Sequence, residues 1–387
     1  MNDDLANPAL PREPCAARLP FIDIAKGVGI LLIVLWHNHI FLTQLKDAAN
    51  VLTAFIVPLF FFLSGVTYSP GRKTLAQLLV ANADAWLKPV LVVTVLVGLA
   101  GIAAGTSTAQ HLLLALTYAT GFTLYWPALW FLPHLWLVSG FCAALLMVGG
   151  RWLNTGTRKA MLLVVMAVLG FYALQLFDSP RNNPECLPRT AFSWTLTDCG
   201  LPFSADLLLI TGFFFLCGHF LAARVKQFAV NRRSAVLALL ALVVLIETTL
   251  LIPQHTDLNF RTYGNPGMAS VQAFCGIYLV LCLCSLLSRY RASTALFVVV
   301  GRMSLFILVF HLPMVGILIR QLPRYIGSPL LVGIISFLLP VLASAILYLI
   351  CRRNRWLSAL MLPRKTPRLP TPLRTFEAPS AMGKTLE

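Results

Sequence analysis

Apolar residues run along this chain in blocks close to the ~20 residues a helix needs to cross a bilayer, each block closed by a polar or proline-containing break. Inside lipid only helices and closed barrels satisfy every backbone polar group. Runs such as 90–100 and 234–246 lack the in–out alternation of a barrel strand. The pattern predicts an all-α, polytopic membrane bundle of about ten transmembrane helices. They are expected near residues 20–42, 49–68, 89–105, 128–149, 160–177, 203–223, 234–252, 268–288, 294–319 and 328–351. The segment 110–126 is semi-apolar and aromatic-rich, and reads as interfacial or re-entrant.

Composition agrees. Of 387 residues, 58% are hydrophobic and 11% charged, against about 25% charged in soluble domains. The net charge of +16 would suggest nucleic acid in a soluble protein. Here 22 of the 30 Lys and Arg fall in segments that alternate to one side, counting from the N-terminus. Only Lys46, Arg181, Arg189, Arg261, Arg320 and Arg324 fall on the other side, with Lys26 and Arg302 inside helices. Positive charge gathers on the cytoplasmic side, so both termini are expected inside, and no nucleic-acid partner is needed to explain the charge.

Residues 1–19 are polar, hold Pro8, Pro11 and Pro14, and lack the apolar core of a signal peptide. They read as a cytoplasmic tail, 20–351 as the transmembrane unit, and 352–387 as a basic, proline-rich, unstructured cytoplasmic tail. Arg352, Arg353 and Arg355 are placed to meet anionic membrane lipids. Of nine cysteines, Cys186 and Cys199 share one outer loop, where a disulfide can form if that side is oxidising. Neither needs a partner.

Ionisable groups within membrane helices are costly and mark function by default. The first helix holds Asp23, Lys26 and His37. Lys26 and His37 are eleven positions apart, about three turns and ~16 Å on one face. Gly27 and Gly29 leave room beside Lys26 for another helix or a ligand. Read conservatively, Lys26 pairs with Asp23, snorkels to the surface or fixes topology, and His37 makes a bundle hydrogen bond. His134, Glu247 and His311 are expected at a depth similar to His37, so a polar cavity open to the outer face would explain all four. Otherwise each is satisfied separately by a neighbouring helix.

No metal is expected. No His-x-x-x-His pair occurs, and His37 and His39 project about 160° apart on a continuous helix. Neither a G-x-S-x-G elbow nor a phosphate-cradling G-x-x-x-x-G-K-[ST] loop is present.

The run from Asp23 to His37, with ten residues between its basic residue and a histidine, resembles the first helix of the membrane acyltransferase-3 family. Residues 57–65 (VPLFFFLSG), 129–133 (LWFLP) and 301–311 (GRMSLFILVFH) resemble its later signatures, in order, across residues 20–350. Residues 257–261 (DLNFR), with Tyr263, resemble an outer-loop pattern of the sugar-modifying branch. The resemblance implies ten core helices and transfer of an acyl group, usually acetyl, from acyl-CoA to a sugar hydroxyl. The acceptor would be an exopolysaccharide, lipopolysaccharide or lipid-linked glycan at a bacterial inner membrane. The compact size is similar to that of xanthan-type exopolysaccharide acetylases. Lys26 stands where Arg is commonest, and Arg72 and Lys73 are adjacent where many relatives carry a spaced Arg pair.

On this reading, acetyl-CoA is the co-substrate, its phosphates meeting Lys26, Arg72 and Lys73. His37 is the general base, for direct attack or through an acetyl-imidazole. Glu247 orients the imidazole or binds acceptor, and His134, Arg261 and His311 contact the sugar. The alternative class is a glycan or lipid-linked sugar transporter, since buried charges also mark transport pathways; matching broken helices in two halves would favour it, and none are seen. A polysaccharide polymerase would need a larger outer loop than 178–202.

Overall fold

A computed structural model describes residues 20–44, 46–177, 200–251 and 256–364. Cys186 and Cys199 lie outside them, as do 1–19 and most of the C-terminal tail. The helices, in order, are α1 (Pro20–Trp36), α2 (His39–Gln44), α3 (Lys46–Thr53), α4 (Ile56–Thr67), α5 (Leu75–Asn82), α6 (Lys88–Ala103), α7 (Ala109–Tyr118), α8 (Phe131–Gly149) and α9 (Gly156–Gln175). They continue as α10 (Leu208–Phe220), α11 (Ala222–Lys226), α12 (Arg232–Leu251), α13 (Pro266–Leu287), α14 (Arg291–Arg302), α15 (Ser304–Gln321), α16 (Pro329–Arg353) and α17 (Arg355–Met361).

Among the described residues nine helical stretches are long and apolar enough to span a bilayer. With α1, 17 residues long, they make ten crossings of an all-α multi-pass bundle. The predicted spans are recovered, with local differences, among them a break in the second between α3 and α4. The first helix stops at Trp36 instead of running to 42, and restarts as α2 at His39. The third begins at Leu75, its two parts joined by a π-helical turn over Ala83–Leu87. The ninth bends at Met303, between α14 and α15. The aromatic segment forms the ten-residue α7, too short to cross.

The tail, expected to be unstructured from residue 352, instead continues α16 to Arg353 and then forms α17. Asn354 starts that helix, its side chain accepting from the N–H groups of Trp356 and Leu357. Past the end of α17, Lys88 Nζ donates to the Leu362 carbonyl at 2.5 Å and to Asp84 at 2.8 Å. The other Asp84 carboxylate oxygen accepts from the Arg364 N–H at 2.6 Å.

Lipid tails are as apolar as leucine, so helices here associate by close packing, and small residues set how close. A Cβ on Gly65 would stand 1.8 Å from the Phe215 carbonyl oxygen, and one on Gly218 2.0 Å from that of Phe62. α4 and α10 therefore touch backbone to backbone. Gly27 and Gly301 do the same for α1 and α14: a Cβ on Gly301 would meet the Asp23 carbonyl oxygen at 2.0 Å. The core cluster fills the space between these pairs, with Ile24, Leu59, Phe61 and Phe214 fully buried. α9 and α12 are mostly exposed, as expected of lipid-facing helices.

Candidate functional site

Two cavities open along α1 and α4, one at each end. α1 runs from the Lys26 end to the His37 end, and α4 runs back.

The first cavity, about 290 Å³, is walled by residues of α1, α4, α5, α8 and α10 and by the turn after α4. Lys26, Arg72 and Lys73 all line it. Ser64, Thr67 and Ser69 add hydroxyls, and Asn82 and Trp86 add an amide and an indole. Trp86 sits within the π-helical turn; such turns often mark functional sites. The three cations expected from the sequence line one cavity, together with Trp86 and Tyr68, which carry no charge to flag them.

The second cavity is larger, about 820 Å³, and holds His37 on its wall. Gly29 separates the two along α1: the Phe60 ring, a wall of the larger chamber, comes within 3.0 Å of where a Cβ on Gly29 would sit.

His37 follows the last residue of α1, and its N–H still bonds back to the Ile33 carbonyl. Asn38 ends the helix by donating from Nδ2 to the Gly333 carbonyl of α16 at 2.8 Å. That break also corrects the expectation for His39. On a continuous helix it would point away from His37; both line the chamber.

His37 Nδ1 lies 2.9 Å from the Ile33 carbonyl oxygen and 3.2 Å from Nε2 of His311. His311 Nδ1 lies 2.8 Å from the Ile307 carbonyl oxygen and 3.0 Å from that of Leu308. Carbonyls only accept, so each Nδ1 carries the proton in the neutral pair. His311 Nε2 then accepts from His37 Nδ1–H. Nε2 of His37 is left with its lone pair, on a ring at the chamber wall. A histidine held in one tautomer by its other nitrogen is the arrangement a general base needs.

The remaining sequence candidates are placed differently. His311 is fully buried behind His37, so it touches the imidazole and is not part of the chamber wall. Buried His134 offers Nδ1 to the Phe203 carbonyl at 3.1 Å and Nε2 to the Thr211 hydroxyl at 2.9 Å. Both nitrogens are occupied in tying α8 to the 202–211 segment. Glu247, expected to orient the imidazole, is exposed on α12 and lines neither cavity; the residue beside His37 is His311.

Arg261 is held in a closed ion pair. Its Nε and Nη2 meet the two carboxylate oxygens of Asp206 at 2.9 and 3.1 Å, and Nη1 donates to the Asn259 carbonyl at 2.7 Å. Both side chains are fully buried. Asp206 also lies inside the predicted sixth helix, where the ionisable-residue rule applies to it equally. The pair fixes the 256–263 loop, which also bridges Asp257 to Thr262 through two backbone bonds of 2.8 and 3.0 Å. Burial pushes the Tyr263 phenol up to about 12, so it stays neutral beside the Ser270 hydroxyl, 3.2 Å away. Thr256, Asp257, Asn259 and Phe260 of this loop form part of the chamber wall.

Arg302 lies 4.0 Å from Asp23 and is half-exposed, so Asp23 has a cationic neighbour on α14.

Residues 19–349 match the model of the acyltransferase-3 family, described as an acyltransferase domain. No curated protein matches the chain, and no solved structure matches it.

Proposed function

The chain belongs to the acyltransferase-3 family and is a membrane acyltransferase, and on that premise we propose that it moves an acetyl group from acetyl-CoA to a sugar hydroxyl. The donor binds at the Lys26 cavity, on the cytoplasmic side of a bacterial inner membrane, and the acceptor at the His37 chamber. Membership in a family of acyltransferases sets the transporter alternative aside.

The observation that carries this reading is His37, set in the wall of the large chamber and backed by buried His311, at the end of the helix that carries the lysine of the cationic cavity. Lys26, Arg72 and Lys73 suit a polyanionic phosphate head, with lysine acting as a point charge. The neighbouring hydroxyls and the Trp86 indole suit the remainder of a nucleotide. From Lys26 to His37 is ~16 Å along the helix, a distance the extended arm of CoA can bridge, past Phe60 and Gly29.

His37 Nε2 takes the proton from the acceptor hydroxyl. The hydroxyl oxygen bonds to the thioester carbonyl carbon while the carbon–sulfur bond breaks. The imidazolium, steadied through Nδ1 by His311 and the Ile33 carbonyl, then returns the proton to the departing thiolate. Imidazole is suited to both steps at neutral pH.

The test is transfer of labelled acetyl from acetyl-CoA to glycan by purified protein in proteoliposomes. Replacing His37 by Ala should lower the rate about 10²- to 10⁴-fold, the range of general-base catalysis, with protein level and melting temperature maintained. Transfer at the wild-type rate by the variant would remove His37 from the mechanism.

A further inference from the structure

The two cavities differ in charge. Three cations line the smaller one. Among the described residues of the larger one there is no Lys or Arg, and the single carboxylate is Asp257. An acidic group entering that chamber would lose water to apolar walls, find no fixed cation and meet a carboxylate. Uncompensated burial of charge costs several kcal/mol or more.

The chamber also holds unmet polar groups. Thr256 Oγ1 and Asn259 Oδ1 are both buried, and neither has a hydrogen-bond partner. Both residues belong to the chamber wall. Most buried polar atoms in folded proteins are bonded, and an orphan costs about 1–3 kcal/mol. Two such orphans on one loop of the chamber wall point to a ligand whose binding brings them partners. An amide oxygen only accepts, so the ligand must bring a donor such as a hydroxyl.

The Asn259 group is held in place before any ligand arrives. The Asn259 carbonyl is fixed by Arg261, whose other nitrogens are fixed by Asp206. The Asn259 amide lies directly over Gly121, where a Cβ would stand 2.1 Å from Oδ1. Groups fixed in advance lose little freedom on binding. Around them stand the rings of Trp36, Phe122, Trp130 and Phe260, apolar faces of the kind that pack on the C–H face of a sugar.

We propose that the larger chamber is a recognition site for an uncharged, polyhydroxylated sugar ring, which Thr256 and Asn259 hold by its hydroxyls and from which Asp257 excludes acidic sugars. This rests on the reading of His37 as the base of the acceptor side, and narrows it to one class of acceptor.

Full-length protein in nanodiscs is given labelled acetyl-CoA and either octyl glucoside or octyl glucuronide, which differ by one carboxylate. Binding is followed separately by quenching of tryptophan fluorescence. The glucoside should bind and be acetylated, with kcat/KM at least tenfold above the glucuronide. Thr256→Val and Asn259→Ala should each raise KM for the glucoside roughly 5- to 30-fold, the loss of one hydrogen bond to a buried partner, with the affinity for acetyl-CoA unchanged. Thr256→Ser should retain wild-type values, separating the hydroxyl's role from a folding defect. Asp257→Asn should narrow the preference by admitting the glucuronide. Equal or better use of the glucuronide, equal weakening of donor and acceptor binding, or no binding of either glycoside would overturn the proposal. Glucoside binding without any acetyl transfer would keep it and overturn the acyl-transfer reading instead.

Discussion

Nε2 of His311 stands 3.2 Å from Nδ1 of His37, joining two histidines 274 positions apart in the chain. The contact does more than pack two rings. His311 is itself oriented by the carbonyls one turn back on α15, so its free lone pair faces His37. The pair works as a relay of orientation, in which backbone fixes one ring and that ring fixes the next.

Replacing His311 by Leu should therefore lower kcat and leave KM for acetyl-CoA unchanged. A loss of roughly 10- to 100-fold is expected, by analogy with the outer hydrogen-bond partners of metal-bound histidines. His311→Gln should recover part of it, because its amide oxygen can still accept from His37 Nδ1. In a His37→Ala background the His311→Leu change should cost nothing further, since residues acting as a unit are not additive. An additive loss would assign His311 a separate role.

Lys26 faces the cationic cavity. Lys26→Ala should raise KM for acetyl-CoA about 10- to 100-fold, the loss of a charge-assisted contact, with a smaller effect on kcat. Lys26→Arg should stay within a few-fold of wild type. Steady-state kinetics in donor concentration decides it, and a selective fall in kcat would place Lys26 nearer the reacting atoms.

Arg261 and Asp206 are buried together. Removing one leaves the other charge unpaired, at about 3–5 kcal/mol, while replacing both with apolar residues is often nearly neutral. Arg261→Met and Asp206→Leu should each lower the melting temperature in detergent, and the double variant should melt above either. Thermal stability unchanged by the single variants would show that the ion pair does not hold the loop.

Glu247 is exposed on α12 and away from both cavities. Glu247→Gln should keep acetyl transfer within about twofold of wild type, because the residue lines neither cavity. A hundredfold loss of transfer would return it to the mechanism.

Much of the architecture could be read from the chain alone. Hydrophobic run length is a local property, and the bilayer converts it directly into a crossing, so the ten spans were legible. Lys26 and His37 were legible for the same reason: within one helix, sequence spacing is spatial spacing. Local features were harder. The break at His37–Asn38 depends on an Asn side chain finding a carbonyl of α16, and nothing in the residues 36–39 announces that partner. The π-helical turn that includes Trp86 lies before the predicted third span, where Asn82, Asp84 and Lys88 interrupt the apolar pattern.

By itself, then, the sequence determined the class of the molecule, its crossings and the two helix positions most out of place in lipid. Which of the other polar residues belong with them was decided only by the tertiary structure. Glu247 and His311 were expected at similar depths, yet depth says nothing about azimuth. The glycine contacts that seat α1 against α14 and α4 against α10 set which helix faces meet. That packing carries His311 to His37 and leaves Glu247 on the outside. The same holds for Arg261: its charge was visible in the chain, but its bidentate partner lies 55 residues away on another element. Such pairings arise from how rigid helices pack, and that information is spread over the whole chain and not written at any one position.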